Sequence, residues 1–213
     1  MFIAIIRSSF VRPLRAAVAI PAVMAALTAV PAIAETPASD PPSAAIESSR
    51  AIANDLVTQL GQKLKGTIAS DGPAAAVSVC KESAPAIAKG LSVRHGAQVG
   101  RVGTRARNAS MGVANAWQKE ALADFDARLA KGEKPADLEY WKVVDIGNGN
   151  QELRYAKAIV TQQLCVTCHG KAEDIPAPLM EKIRAEYPRD QATGYSVGQL
   201  RGAVVVTRPL NAD

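Results

Sequence analysis

Residues 138–161 read LEYWKVVDIGNGNQELRYAKAIVT, and this stretch decides the fold class of the 213-residue chain. Two runs of alternating apolar and polar residues, 138–146 and 151–161, flank the sequence Gly147-Asn148-Gly149-Asn150. An Asn-Gly pair between two such runs is the strongest local signal for a β-hairpin. The stretch therefore predicts two antiparallel strands joined by a tight turn.

Two further segments have the character of strands. Residues 98–107 alternate small or apolar residues with polar ones, and residues 202–208 (GAVVVTR) are rich in β-branched side chains. Helical and strand-like segments are segregated along the chain rather than strictly alternating. The sequence therefore predicts an α+β fold in which helices flank a small antiparallel sheet.

Three helices are predicted from apolar residues that recur every three or four positions. The first ends at Gly66, and the second begins at Asp71-Gly72-Pro73. Pro85 lies inside the second pattern, so we expect a kink or a restart there, with Ser83 as the new N-cap. The third helix is expected over residues 113–129.

The first 34 residues are predicted to be a secretory signal peptide. A basic start precedes an uncharged apolar run over residues 16–30, and Ala32-Ile33-Ala34 matches an A-x-A cleavage site. An uncleaved membrane anchor is the alternative, but two prolines interrupt the run, which is rich in alanine rather than leucine. We therefore expect cleavage between Ala34 and Glu35, a periplasmic location, and no stable membrane insertion after cleavage.

The exported part of the chain is predicted to form one domain. Residues 35–43 are polar and rich in proline, as in a flexible leader. Residues 44–213 carry the helical and strand patterns without an internal repeat. This segment is therefore expected to be the single folded domain, and it would bind the cofactor argued for below.

The positive charge of the chain does not indicate a nucleic-acid partner. The formal net charge is +5, and removing the three arginines of the first fifteen residues lowers it to +2. Aromatic residues make up only 4% of the chain, which is too few for a stacking platform. We therefore expect no binding to DNA or RNA.

The sequence Cys165-Val166-Thr167-Cys168-His169 is a C-x-x-C-H motif, the attachment signature of c-type haem. Two thiols three positions apart can bond to the two vinyl groups on one edge of the porphyrin. The histidine that follows them can then bind the iron. The motif occurs once, so the sequence predicts one covalently bound haem c.

A disulfide, a zinc site and a thioredoxin-type redox pair are the alternatives to haem at this motif. A disulfide between Cys165 and Cys168 leaves the adjacent histidine without a role, and a zinc site lacks further ligands at the required spacing. A thioredoxin-type pair belongs after a strand of a parallel sheet, which this pattern does not predict. We expect covalent haem rather than any of the three.

The second axial ligand of the iron is not decided by spacing. Cys80 is a third cysteine, on the apolar face of the second helix, where a free cysteine is often just a small hydrophobic residue. His95 stands at the apparent end of that helix, Met111 in a polar loop, and Met180 on a short helix. These four residues, or no protein ligand at all, are the alternatives.

Four separate blocks of the chain resemble a family of exported single-haem c-type proteins that was catalogued as a domain of unknown function. The blocks are residues 79–85 (VCKESAP), 100–101 with 105–108, the C-x-x-C-H motif, and 187–195 (YPRDQATGY) with 201–203. The resemblance implies a PAS-like fold and His/Cys axial ligation of the haem iron. It thereby implies His169 and Cys80 as axial ligands, with Cys165 and Cys168 as the thioether anchors.

Five further residues are candidates for contacts with the haem. Arg101, Arg105 and Arg107 lie two or four positions apart, so on one strand they would point to the same side. Arginine pairs well with carboxylates, and these side chains could therefore bind the haem propionates. A solvated strand face is the alternative, and Tyr195 and Arg201 are expected near the haem edge.

Two classes of function follow from these features. The first is a sensor, whose conformation responds to the redox state of the haem or to a diatomic gas, and the second is an electron-transfer cytochrome c. We favour the sensor. Each class requires a partner protein, a signalling partner or a redox partner, that the sequence does not identify. We expect no enzyme, because we find no Ser-His-Asp set, paired carboxylates or phosphate-binding loop.

Overall fold

The computed structural model describes residues 43–210 of the chain. The predicted signal peptide, residues 1–34, its cleavage site and the leader up to residue 42 lie outside the described residues, as do residues 211–213. These assignments therefore stay predictions. Within residues 43–210, no helix is both long and apolar enough to cross a membrane.

One antiparallel sheet and the helices around it make up the described chain. The helices are α1 (Ser43–Ser78), α2 (Ala84–His95), α3 (Ala116–Ala130), α4 (Gln163–His169) and α5 (Ala177–Glu186). The strands are β1 (Gln98–Gly103), β2 (Glu139–Gly147), β3 (Asn150–Val160) and β4 (Leu200–Pro209). A π-helical segment, Val79–Ser83, joins α1 to α2, and 3-10 turns lie at Pro135–Asp137 and Ala172–Asp174.

The sheet has the order β1-β4-β3-β2, and each neighbouring pair is antiparallel. The predicted hairpin is present, because β2 pairs directly with β3 and Gly147 faces Asn150 across the turn. Asn148 and Gly149 have φ angles of 55° and 73°, and a two-residue type I′ turn requires such positive values at both positions. The predicted α+β class, a small antiparallel sheet flanked by helices, is confirmed.

Both faces of the sheet are covered by helices. Ala203 and Val205 of β4 belong to a hydrophobic cluster with α3 on one face. Val204 and Val206 belong to a second cluster, with α1 and α2, on the other face. Burying one such valine contributes about 1.5–3 kcal/mol. The run of β-branched residues in β4 is thus explained by its burial on two sides.

A third cluster packs the C-terminal part of α1 against α5. Val77 of α1 lies there among Leu179, Ile183 and Tyr187. The ammonium group of Lys81 then pairs with a carboxylate oxygen of Glu186, 2.5 Å away. These contacts hold the π-helical segment beside the C-terminal end of α5.

The first helix differs from its prediction. Gly66 lies inside α1 and does not end it, because one glycine in a helix costs only about 1 kcal/mol. The break occurs instead at Gly72, whose φ of 80° and ψ of 172° are not helical. Pro73 then begins the second part of α1, so the predicted start signal was placed correctly.

The predicted kink near Pro85 takes the form of the π-helical segment. Ser83 is not an N-cap there: its backbone is helical and its side chain makes no capping hydrogen bond. The N–H of Ala84 reaches back to the carbonyl of Val79, five residues earlier. Pro85 has no N–H to donate, which favours such a disturbed turn.

Two other boundaries were misplaced. α3 begins at Ala116 rather than Val113, because Asn115 forms a capping box with Gln118. β1 ends at Gly103 rather than at residue 107. The N–H of Gly103 donates to the carbonyl of Gly112, so the chain turns away from the sheet there.

Candidate functional site

A cavity of about 400 Å³ lies between the π-helical segment, β1 and the end of α4. This volume is within the range of about 300–1,000 Å³ that small-molecule and cofactor sites occupy. Two predicted iron ligands, Cys80 and His169, line the same cavity. Four of the five predicted haem contacts line it as well, as does Tyr187; the four are Arg101, Arg105, Arg107 and Arg201. The cavity thus gathers side chains that lie as much as 121 positions apart in the sequence.

The C-x-x-C-H motif forms most of the short helix α4. Cys165 and Cys168 are three positions apart and therefore share one face of that helix. The thiol of Cys165 accepts a hydrogen bond from the N–H of Gln162 at 3.4 Å. His169 is the last residue of α4, and its side chain is buried at the cavity wall. The local helix thus puts both thiols and the imidazole within one turn.

Gly170 is required directly after the motif for steric reasons. A Cβ atom at this position would lie 2.5 Å from the carbonyl oxygen of Val166. The Gly170 N–H donates to that same oxygen at 2.9 Å and so closes the last turn of α4. Any side chain here would push apart the turn that carries Cys168 and His169.

One nitrogen of the His169 imidazole is anchored. Nδ1 lies 2.6 Å from the carbonyl oxygen of Ala192, so Nδ1 carries the proton and donates it. Arg201 Nη1 also lies 3.3 Å from Nδ1, but both nitrogens are then donors, and this approach is a contact rather than a hydrogen bond. Nε2 has no hydrogen-bond partner among residues 43–210, which leaves its lone pair free for a metal.

The environment of His169 keeps its imidazole neutral. Burial lowers the pKa of His169 far below its usual value, and the positive charges of Arg201 and Arg107 lower it further. The hydrogen bond to Ala192 acts in the opposite direction and is outweighed. A neutral imidazole is the form that binds a metal.

The loop before β4 supports the end of α4 through its backbone. The N–H of Tyr195 donates to the carbonyl of His169 at 2.9 Å, and the N–H of Gly194 to the carbonyl of Gly170 at 2.6 Å. With the Ala192 carbonyl on the imidazole, three groups of residues 187–195 hold this helix end. In this loop only Tyr195 was identified from the sequence. The role of Ala192 could not be, because any residue type can supply a backbone carbonyl as an acceptor.

Cys80 lies in the π-helical segment and is half-buried. Burial raises the pKa of the Cys168 thiol, the charge of Arg107 lowers it, and the Cys80 thiol raises it again. Burial also raises the pKa of Tyr187 to about 12, with a further contribution from Cys80. All three cysteines are free thiols in this structure.

The remaining candidate ligands are placed differently. His95 is the exposed last residue of α2 and is followed by Gly96 in the left-handed conformation. Met180 of α5 packs against the third hydrophobic cluster and is not part of the cavity wall. Met111 does line the cavity, although 59% of its surface is exposed. Cys80 and Met111 are thus the two candidates that reach the cavity.

The predicted grouping of three arginines on one strand is wrong. Arg101 lies on β1, but the strand ends at Gly103, so Arg105 and Arg107 belong to the loop that follows. The guanidinium of Arg105 stacks over the Tyr195 ring, 3.9 Å from its centre. Arg107 pairs with Asp190 at 3.1 Å. The cavity nevertheless brings the three arginines to one site.

Arg101 and Arg201 are cations without a carboxylate partner among residues 43–210. Burial lowers the pKa of each guanidinium, and the field of a neighbouring arginine lowers it further. Neither makes an ion pair within the described chain. Arg107 Nε is likewise buried with no hydrogen-bond partner there. The cavity wall therefore carries excess positive charge and an unused donor.

Tyr195 has a structural position beside the cavity. Its hydroxyl accepts a hydrogen bond from the N–H of Arg105 at 3.0 Å and lies 2.8 Å from Oγ1 of Thr104. Its ring meets the His169 ring edge to face, with centres 6.4 Å apart. Tyr195 thus ties the loop after β1 to the end of α4, and it does not itself line the cavity.

The residues present suit a haem group. The cavity wall offers the His169 imidazole with a free Nε2 and the Cys80 thiol. Cys165 and Cys168, the predicted attachment residues, do not line the cavity themselves but lie within one turn of His169 on α4. The unpaired guanidiniums of Arg101 and Arg201 match the negative charge of two propionates. Among the described residues, no cluster of three or more His, Cys, Asp or Glu side chains could hold a metal ion by itself.

Comparison with known proteins gives a family and one solved structure. A family model described as Tll0287-like matches residues 19–209 of the chain. The crystal structure of the cyanobacterial haem protein Tll0287 is similar at a TM-score of 0.53 and 25% sequence identity, covering 78% of this chain and 93% of that one. No curated protein matches the chain. The family resemblance drawn from the sequence is confirmed.

Proposed function

The chain belongs to the Tll0287-like family, and from that premise we propose that it is a periplasmic protein with one covalently bound haem c. The solved relative, Tll0287, is a haem protein, which supports this proposal. Cys165 and Cys168 would form the thioether bonds, and His169 and Cys80 would be the axial ligands. When bound, the haem supplies a one-electron redox centre and an iron site for diatomic gases.

The observation that carries the proposal is the state of His169. A histidine that binds a metal usually donates its other ring N–H to a carbonyl or carboxylate, which fixes the tautomer and the ring orientation. The Nδ1–Ala192 hydrogen bond does this, and it leaves Nε2 unpaired at the cavity wall. Burial and the neighbouring arginines keep the ring neutral. This is the arrangement that an axial ligand needs.

Cys80 rather than Met111 is proposed as the second ligand. Both line the cavity, but Cys80 is half-buried, whereas Met111 is mostly exposed on a turn. Arg101 and Arg201 line the same cavity as Cys80. The thiolate is the form of cysteine that binds metals.

We favour a redox or gas sensor over an electron carrier, and we propose no enzymatic reaction. A thiolate holds ferric iron better than ferrous iron because it is an anion, so Cys80 would be the ligand that loosens on reduction. Cys80 lies in a π-helical turn, a local irregularity that often marks a functional position. Its neighbour Lys81 pairs with Glu186, so a movement of Cys80 would reach α5. A switch requires a local change of charge that acts on an element with two conformations, and the π-helical turn at Cys80 would be that element.

The experiment is a set of absorption spectra of the haem-loaded protein, oxidised and then reduced, with and without carbon monoxide. We expect the reduced, haem-loaded protein to bind carbon monoxide, because an anionic Cys80 thiolate would bind ferrous iron less well than ferric iron. Cys80→Ser should change the ferric spectrum and raise the reduction potential, whereas the matched variants Met111→Leu and Met180→Leu should do neither. A reduced protein that keeps both ligands and does not bind carbon monoxide would be an electron carrier.

A further inference from the structure

Arg107 occupies a position that a simple propionate contact does not explain. Its Nη2 donates to the carbonyl of Cys168 at 2.6 Å and approaches the carbonyl of Ala192 at 3.4 Å. The same nitrogen lies 3.1 Å from Oδ2 of Asp190, and both side chains are almost buried, at 11% and 8% exposure. One guanidinium thus contacts the carbonyl group of Cys168, which precedes His169 in the chain, and the carbonyl group of Ala192, which accepts the His169 N–H.

Asp190 completes the arrangement from the other side. Its Oδ1 accepts the N–H of Ala192 at 2.8 Å, while Oδ2 faces Arg107. The N–H of Gln191 donates to the carbonyl of Ala106 at 3.0 Å, which links the two loops once more. The backbone of Ala192 is therefore held at both of its polar groups: its N–H donates to Asp190, and its carbonyl oxygen contacts Arg107 and His169.

We propose that Arg107 and Asp190 form a buried clamp that sets the orientation of the His169 imidazole and of the turn that carries Cys168. Arg107 fixes the carbonyl of Cys168, and the pair fixes the carbonyl of Ala192, which in turn fixes Nδ1 of His169. Both are positioning residues, since neither supplies a ligand atom. The inference rests on the proposed function, because it concerns His169 as the iron ligand.

The geometry of the clamp is specific to arginine. Arg107 makes these contacts through Nη2, whose two N–H groups have fixed directions in the plane of the guanidinium, whereas the three N–H groups of a lysine ammonium rotate on a flexible stem. Removing either partner also leaves the other charge buried and unpaired. The clamp therefore depends on both residues, and loss of either should release the same imidazole.

The test is the electron paramagnetic resonance spectrum of the ferric, haem-loaded protein, because its g values report the orientation of the axial imidazole. We expect Arg107→Gln and Asp190→Asn to shift or split the low-spin signal, and Arg107→Lys to shift it less. Arg189→Gln, an exposed arginine of the same loop, is the matched control and should leave the signal unchanged. The thermal unfolding midpoint of each variant, measured alongside, separates loss of orientation from loss of fold.

The two proposals fail in different ways. Wild-type protein that carries no haem would contradict the proposed function. The clamp would be overturned if the wild-type protein binds haem through His169 and the variants give the same signal as the control. The variants that decide this are Arg107→Gln, Arg107→Lys and Asp190→Asn. If Arg107→Gln does not fold, the spectra of Asp190→Asn and Arg107→Lys decide the question.

Discussion

Nδ1 of His169 lies 2.6 Å from the carbonyl oxygen of Ala192, a residue 23 positions later in the chain. This one contact connects the short helix α4 to the loop before β4 and determines which imidazole nitrogen is free. It also explains why the block at residues 187–195 accompanies the C-x-x-C-H motif, although it supplies no candidate ligand. The haem site is thus built from the motif and from a separate backbone support.

The unpaired arginines should control the reduction potential. Arg101→Gln or Arg201→Gln removes a positive charge from the cavity wall, and this loss stabilises the more positive ferric state. We expect the potential of the haem to fall by about 50–100 mV for each change. Arg154→Gln is the control, because Arg154 pairs with Glu152 and is not part of the cavity wall. Redox titration of the three variants checks this, and equal potentials would contradict it.

Gly170 should tolerate no side chain. Gly170→Ala would place its Cβ 2.5 Å from the carbonyl oxygen of Val166, so the last turn of α4 must shift. We expect a loss of about 1–3 kcal/mol in the free energy of unfolding and less covalent haem per polypeptide. Gly66→Ala, where a Cβ would meet nothing within 4 Å, should stabilise the protein by up to about 1 kcal/mol. Denaturant unfolding compares the two variants directly.

Much of the fold could be predicted because its signals are local. The Asn148-Gly149 turn and the alternation around it identify the hairpin without any knowledge of the tertiary structure. The C-x-x-C-H motif is also local, since three positions along a helix make one turn. The capping box at Asn115 shifted the start of α3 by only three residues.

The parts that could not be predicted depend on contacts between distant segments. Arg105 and Arg107 leave the sheet because the chain turns at Gly103, and this turn is fixed by hydrogen bonds to Gly112 and to Tyr195. The clamp partner Asp190 has no motif of its own. The approach of Cys80 to the cavity follows from the packing of α1 against α5, which residue spacing does not specify.

A charge cluster outside the cavity wall should set the acid stability of the fold. Glu139 accepts hydrogen bonds from Arg50 at 2.8 Å and from Lys157 at 3.0 Å. Burial by itself raises the pKa of Glu139, but these hydrogen bonds outweigh it and lower the pKa to about 2. The carboxylate therefore contributes its full stabilisation above the unfolded-state pKa of about 4.3, and loses it as the pH falls toward 2.

Glu139→Gln is the corresponding variant. It should lower the free energy of unfolding by about 1–3 kcal/mol at pH 7, and the difference from wild type should shrink between pH 4 and pH 2. Glu181→Gln, an exposed glutamate of α5, should leave the stability nearly unchanged. Urea unfolding at pH 7 and pH 3 measures both. A Glu139→Gln deficit that stays constant with pH would contradict the assignment.

We propose above all that this chain carries one haem bonded to Cys165 and Cys168. The most direct measurement is the intact mass of the exported protein after full denaturation. We predict a mass equal to the processed polypeptide plus one haem, and the polypeptide mass alone for the double variant Cys165→Ser/Cys168→Ser. Wild-type protein that shows only the polypeptide mass would contradict the account.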